Sequence, residues 1–416
     1  MKTAAFVFLC IMPLALCAFG ADAQRPFPQH TVYTAGSIQP SAQSQAERDA
    51  AVVAFYRVWK ASYLRSTGDG QRYVFCNAEK TFAPKNTHSV SEGHGYGMLA
   101  AVLMAGADPQ AHADFDGLYR FFRAHPAENN RVLMAWRQVS RPNAQSLTED
   151  ADGRSSATDG DLDIACALLM ADRQWGSQGE IDYRKEALKV IAAIRSAETD
   201  PQRHTLTLGS WVDAESRQRG GFRPSDFMPA HFKGFAAASG EATWMQITDT
   251  TYRLLSELVA AHSAKTGLVP DFVQYKQGAY RPAPPRYLEG GNDGGYSYNA
   301  CRMPWRVGTD YLLSGDARAL ALLTPLNAWA QKTTGGAPAK LNAGYQLDGK
   351  PLTEDSSAAF IGPLAVAAMS DPAGQAWLNA LWEDLRARNP AAEDYYGNTV
   401  KLLTMIVVSG NWWQPF

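Results

Sequence analysis

The sequence predicts an all-α fold: one domain over residues 45–416, with about a dozen helices that pair into six hairpins and close on themselves as a toroid. Three observations predict it. Apolar residues recur at helix spacing in stretch after stretch. The stretches are joined by short polar loops with no break in composition, although 416 residues would allow two or three domains. No 30–45-residue repeat marks an open solenoid, and closure removes the capping repeats a solenoid needs.

In chain order, the first helix follows Ala46. Ala51, Phe55, Val58 and Trp59 fall on one side, with Arg57 and Lys60 on the other. Further helical patterns cover residues 97–105, 114–124, 161–175, 183–196, 242–262, 300–313, 317–331, 358–368, 374–388 and 397–408. The best strand candidate is 205–212. Trp175, Trp244, Trp329 and Trp382 lie on helical patterns and are expected in the core. The loops between these patterns are rich in Gly, Asp, Tyr and Trp, as in SATDGDLD (156–163), RPSDFMPAHF (223–232) and YLEGGNDGGYSYNACRMPWR (287–306). Function concentrates on loops placed by a rigid scaffold.

The N-terminus carries Lys2, an apolar run over 4–19 and the small-x-small pattern Ala21-Asp22-Ala23. This reads as a secretory signal peptide, residues 1–23, and the run is short for a membrane span. The mature chain would start near Gln24, be secreted or periplasmic, and leave the membrane after cleavage. Residues 24–44, rich in Pro, Ser, Gln and Ala, read as an extended lead-in. Cys76, Cys166 and Cys301 remain after cleavage; they sit in apolar contexts and read as buried packing residues.

The formal net charge of −2 gives no reason to expect nucleic acid or an acidic membrane surface as partner. No P-loop, GxSxG or HExxH is present, so no cofactor is expected. His88 and His94 lack a third partner at metal spacing, so no metal is expected, and His94 reads as a wall or hydrogen-bond donor.

Three acidic constellations remain. In SVSEGHGYGM, Ser89 and Glu92 match a capping box. Gly93, Gly95 and Gly97 weigh against that reading, because each glycine inside a helix costs about 0.8–1 kcal/mol relative to alanine. They suit a backbone that a ligand or another segment must approach closely, and Glu92 beside such a surface could be a general acid. In ATDGDLDIACALLMADRQW, Asp159, Asp161 and Asp163 alternate like calcium ligands, but Ile164 and Met170 stand where an EF-hand needs Gly and Glu. Thr158 or Asp159 could cap the helix. The third cluster is Glu289, Asp293, Tyr296, Tyr298, Asn299 and Arg302, around a Gly-rich turn. Paired carboxyl groups on glycine- and aromatic-rich loops are the chemistry of glycosidic hydrolysis.

Together SEGHGYGM, ATDGDLDIACALLMADRQW and YSYNACRMPWR, with RPSDFMPAHF and DYYGN (394–398), resemble family 8 of the glycoside hydrolases. The resemblance spans residue 45 to the C-terminus. It implies an (α/α)6 barrel and an inverting mechanism on β-1,4-linked polysaccharide. Glu92 falls on the general acid and Asp159 on the acid that binds the distorted sugar. Asn299 stands where many members carry the aspartate base; one branch takes its base from an upstream glutamate, here Glu289, leaving Asn299 to hold the water. Asp293 is the fallback base. Tyr298 and Arg302 resemble residues lining the cleavage subsite, and Tyr96, Asp293 and Tyr395 join them as candidate substrate contacts. Trp136 and Trp211 lie in loop contexts where rings could stack on sugars. The expected activity is endo-hydrolysis of β-glucan by a monomer. Chitosan is the nearest rival, with Asp161, Asp163, Asp213, Asp226 and Asp293 as possible cleft carboxylates. A non-catalytic glycan binder is the rival from another class, should Asn299 mark a lost base.

Overall fold

The computed structural model describes residues 23–76, 85–142 and 146–415; the expected signal peptide lies outside them apart from Ala23. Twelve α-helices are present among these residues: α1 (Gln45–Tyr63), α2 (Ser91–Leu103), α3 (Ala111–Ala124), α4 (Thr158–Trp175), α5 (Tyr183–Ala197), α6 (Pro229–Ser239), α7 (Thr243–His262), α8 (Met303–Ser314), α9 (Ala317–Thr334), α10 (Ala358–Ala368), α11 (Gln375–Ala387) and α12 (Tyr395–Val408). The even-numbered helices form an inner ring. Each packs on the next, and α12 returns to α2. The odd-numbered helices lie outside, with α3 on α2, α5 on α4, α7 on α6, α9 on α8, α11 on α10 and α1 on α12. This is an (α/α)6 barrel in one domain.

Sequence separates the two rings. Every residue of α10 (AAFIGPLAVAA) and of α12 is buried, as a helix packed on all sides requires. The outer α5 buries one stripe, Tyr183, Ala187, Val190, Ile191, Ala193 and Ile194. Helix α6 lies where the pattern suggests only a loop. Strands are minor: Thr205–Leu206 is two residues long, and the rest of the 205–212 candidate turns away. Trp244 and Trp382 are core residues, whereas Trp175 and Trp329 are only partly buried; Trp175 stacks on His112 at 4.5 Å. Cys76, Cys166 and Cys301 are free and buried.

Residues 24–44 hold no regular element and run across the C-terminal ends of the inner helices. Phe27 N–H bonds Ala105 O, Thr31 bonds Gly410 O, Thr34 bonds Leu312 O and Ile38 bonds Met369 O, at 2.6–2.9 Å. Helix ends leave carbonyls without intrahelical partners, and this strap satisfies four of them. The opposite end of the ring presents helix N-termini, whose partial positive charge favours carboxylates.

Candidate active site

Glu92 and Asp159 are each the second residue of an inner helix, α2 and α4. The capping box is not formed. Val90 is the N-cap of α2 without a side-chain bond, and Ser89 belongs to the short strand Thr87–Val90. The glycines serve packing. A Cβ on Gly95 would sit 2.8 Å from Asp163 Cβ, and one on Gly160 would sit 2.5 Å from Ser91 Oγ. Such contacts are closer than packed atoms allow, so these glycines let α2 and α4 approach. A Cβ on Gly93 would press on the Tyr395 ring at 2.9 Å. His94 faces away from the acids, its Nε2 bonding Leu118 O at 2.9 Å, and burial pushes its pKa down to about 3.

Arg302, wholly buried ahead of α8, joins the acids. Its Nη1 donates to Glu92 Oε2, to Asp159 Oδ2 at 2.9 Å and to Tyr96 Oη at 3.1 Å. Its Nη2 donates to Ser225 Oγ at 2.9 Å and Asn299 Oδ1 at 3.0 Å. Arg302 therefore lies beneath the carboxyl groups rather than against a sugar. Tyr96 is likewise fully buried, with its hydroxyl on Arg302, and offers a substrate no surface. Tyr395 is nearly buried and donates to Glu92 Oε1 at 3.1 Å.

A second guanidinium, Arg223, comes from the turn before α6. Its Nη1 lies 3.4 Å from Asp159 and 3.3 Å from Asp226, and its Nη2 donates to Glu289 Oε1 at 3.3 Å. Asn299 Nδ2 donates to Glu289 Oε2 at 2.8 Å. Each guanidinium thus pairs with Asp159 and with one further glutamate, Arg302 with Glu92 and Arg223 with Glu289. The sequence pattern does not single out Arg223. Its available signal is the Pro229 helix start just downstream, which makes 223–228 a loop at the same end of the ring as Glu92.

The electrostatics separate the two helix-borne acids. Burial raises the Glu92 pKa to about 7; Arg302 opposes the rise and the Asp159 charge adds to it. Burial acts upward on Asp159 too, but Arg223 and Arg302 outweigh it and hold that carboxyl below its ordinary value. Glu92 keeps 19% of its side chain exposed and Glu289 35%.

Asp293 is turned into its own loop. Its carboxylate accepts N–H bonds from Leu288, Glu289 and Gly290 at 2.7–3.1 Å and is nearly buried. Asp271 does the same for the segment around Asn299, accepting from Ser297, Asn299 and Ala300 at 2.7–3.1 Å. Asp161 and Asp163 are fully buried and closed to a substrate. Asp163 is held by Arg306 and His231. Asp226 is also buried, on Arg223. Of the five acids considered for a cationic polymer, only Asp213 is exposed.

Three rings remain open. Tyr298 is 42% exposed, edge-on to Phe360. Trp136 is half-buried, with Arg137 4.6 Å from its ring centre and its Nε1 donating to Asp152 O at 2.6 Å. Trp211 is half-buried beside Leu208 and Tyr287. Among the described residues no group of three His, Cys, Asp or Glu could hold a metal ion, and no helix is long and apolar enough to cross a membrane.

The chain is 43% identical to a beta-glucanase of Niallia circulans over 98% of this chain and 96% of that one. It is 36% identical to an endoglucanase of Bacillus sp. (strain KSM-330), covering 95% and 83%. The solved structure of a beta-1,3-1,4-glucanase from Paenibacillus sp. X4 superposes with a TM-score of 0.88 at 44% identity, covering 94% of this chain and 99% of that one. The model of the glycosyl hydrolases family 8 matches residues 26–410, and with the ring of helix N-termini around Glu92 and Asp159 it makes this chain a glycoside hydrolase of family 8.

Proposed function

We propose that the chain is an inverting endo-hydrolase of β-1,4-linked glucan, cellulose or mixed-linkage, with Glu92 as general acid and Glu289 as general base. The observation that carries this reading is the pairing of a carboxyl raised by burial with a second one gripped by Asn299 and Arg223. Glu92 gives its proton to the glycosidic oxygen, and its new charge falls on Arg302. Glu289 takes a proton from the water that attacks the opposite face, while Asn299 aims the Glu289 oxygen at that water. Asp159, ionised between two arginines, faces the sugar at the cleavage subsite. Trp136, Trp211 and Tyr298 stack on neighbouring sugars. Arg302 links Glu92 to Asn299, and Asn299 in turn holds Glu289; the inverting outcome needs the two carboxyl groups about 6.5–9.5 Å apart, with room for the water. Glu289 on these partners is also what a non-catalytic glycan binder would lack.

Charge favours a neutral polymer. The two guanidinium charges balance those of Asp159 and Glu289, and the other acids proposed for a cationic chain are buried, save Asp213. The glucan-directed names of the similar proteins support the same choice. The chain is read as exported through residues 1–23 to act outside the cytoplasm as a monomer, bound to polysaccharide rather than to membrane or nucleic acid.

Purified protein from Gln24 onward, assayed on lichenan, carboxymethylcellulose, chitosan and xylan, is expected to release oligosaccharides fastest from the two glucans. Faster release from chitosan would replace the glucan reading with a chitosanase. Because the acid must carry its proton, kcat/KM on lichenan is expected to fall as pH rises through about 7, the value to which burial lifts Glu92. A rate still climbing at pH 9 would remove Glu92 from that role.

A further inference from the structure

Behind Asp159 lies a second pair of carboxyl groups that the mechanism does not use. Asp161 and Glu198, both fully buried, face each other side chain to side chain within hydrogen-bond reach. Asp161 Oδ1 accepts Met134 N–H at 2.9 Å, and Glu198 Oε1 accepts the Ser156 hydroxyl. Asp161 Oδ2 and Glu198 Oε2 are buried with no donor from any other group among the described residues. Ionised carboxylates only accept, so a bond between two of them requires a proton. The charged group that faces both is Asp159, itself held by Arg223 and Arg302 from the segments before α6 and α8. From the loops packed against them, Asp161 and Glu198 receive only the neutral donors Met134 N–H and Ser156 O–H.

Each carboxyl holds one tryptophan loop. Met134 lies two residues before Trp136, whose carbonyl accepts Ser91 N–H at 2.9 Å at the start of α2. Ser156 is bonded to Ser210, the neighbour of Trp211, by Oγ to Oγ at 2.8 Å and by Ser210 N–H to Ser156 Oγ at 3.1 Å. We propose that Asp161 and Glu198 share one proton, and that this protonated pair positions the Trp136 and Trp211 loops against the helix end that carries Asp159. They are positioning residues: they touch no sugar and act on binding through the two rings. The role of those rings rests on the function proposed above; the shared proton does not.

The test uses the mature protein with Glu198→Gln and Asp161→Asn, each of which keeps a donor in the pair but needs no shared proton. In infrared difference spectra at pH 6, wild type minus the double variant carrying both changes should show the absorption of a protonated carboxyl; a flat difference overturns the shared proton. Burial raises both carboxyl groups, Glu198 well above its ordinary value, so the pair should keep its proton at neutral pH and lose it in alkali, and the wild-type KM for lichenan should rise about tenfold as pH climbs from about 7 into that range. Glu198→Gln should hold its KM within about twofold over that range, because its amide donates to Asp161 at every pH. Glu92 titrates in both proteins, so the difference between them reports the pair. Parallel KM profiles overturn the positioning role. If no glucan were cleaved, the glucan reading would fail while the infrared result still decided the proton.

Discussion

Glu92→Gln is expected to lower kcat on lichenan by about 10²–10⁴-fold, the range a positioned acid supplies, while the chain folds and binds cello-oligosaccharides as before. The substitution is nearly isosteric and neutral, and so resembles the protonated carboxyl that burial favours. The amide oxygen can still accept from Arg302 or Tyr395, so the buried guanidinium keeps a partner there as well as Asp159, Asn299 and Ser225. What is lost is the proton. Steady-state kinetics beside calorimetric titration with cellotetraose separates the two effects. Turnover at the wild-type rate would end the assignment.

Glu289→Gln is expected to lose a comparable factor, since general-base catalysis falls in the same range of about 10²–10⁴. The amide that replaces the carboxylate keeps an oxygen for Asn299 Nδ2, and Arg223 keeps Asp159 and Asp226, so the loop has little reason to move. Asp293→Asn serves as the contrast. Its carboxylate is occupied by three backbone N–H groups, and weakening that cradle is expected to cost about 1–3 kcal/mol of stability, the penalty for poorly satisfied buried groups. Activity should fall less than in Glu289→Gln. An inactive Asp293→Asn beside an active Glu289→Gln would transfer the base to Asp293.

Much of this molecule is legible in its sequence, for physical reasons that also mark where legibility ends. The inner helix α10 is apolar all round, so its existence follows from composition. Glu92 and Asp159 stand out because glycines and acids crowd two helix starts. The pattern cannot say how deep each acid lies. A helix rises 1.5 Å per residue, so Asp163, one turn below Asp159, falls into the ring and pairs with Arg306. Asp161 points to a different side of α4 and meets Glu198, which is distant in sequence. Arg302 and Tyr96 stand at the site but behind its carboxyl groups rather than facing a sugar, because exposure depends on packing that a motif does not carry. Helix α6 is hidden by its mixed composition, although Pro229 at its first position, with Phe232 and Phe235 three residues apart, is a legible start. The strap over residues 24–44 is readable only as extended chain, since all four of its partner carbonyls are non-local.

The division of labour between Glu92 and Glu289 is tested most directly with β-cellotriosyl fluoride, whose leaving group needs no proton. Hydrolysis rates of wild type, Glu92→Gln and Glu289→Gln would be measured on it and on lichenan. The prediction is that Glu92→Gln, inactive on lichenan, hydrolyses the fluoride at close to the wild-type rate, while Glu289→Gln is slow on both. If Glu92→Gln is equally slow on the fluoride, Glu92 is not the acid; if Glu289→Gln is the variant that recovers, Glu289 is not the base.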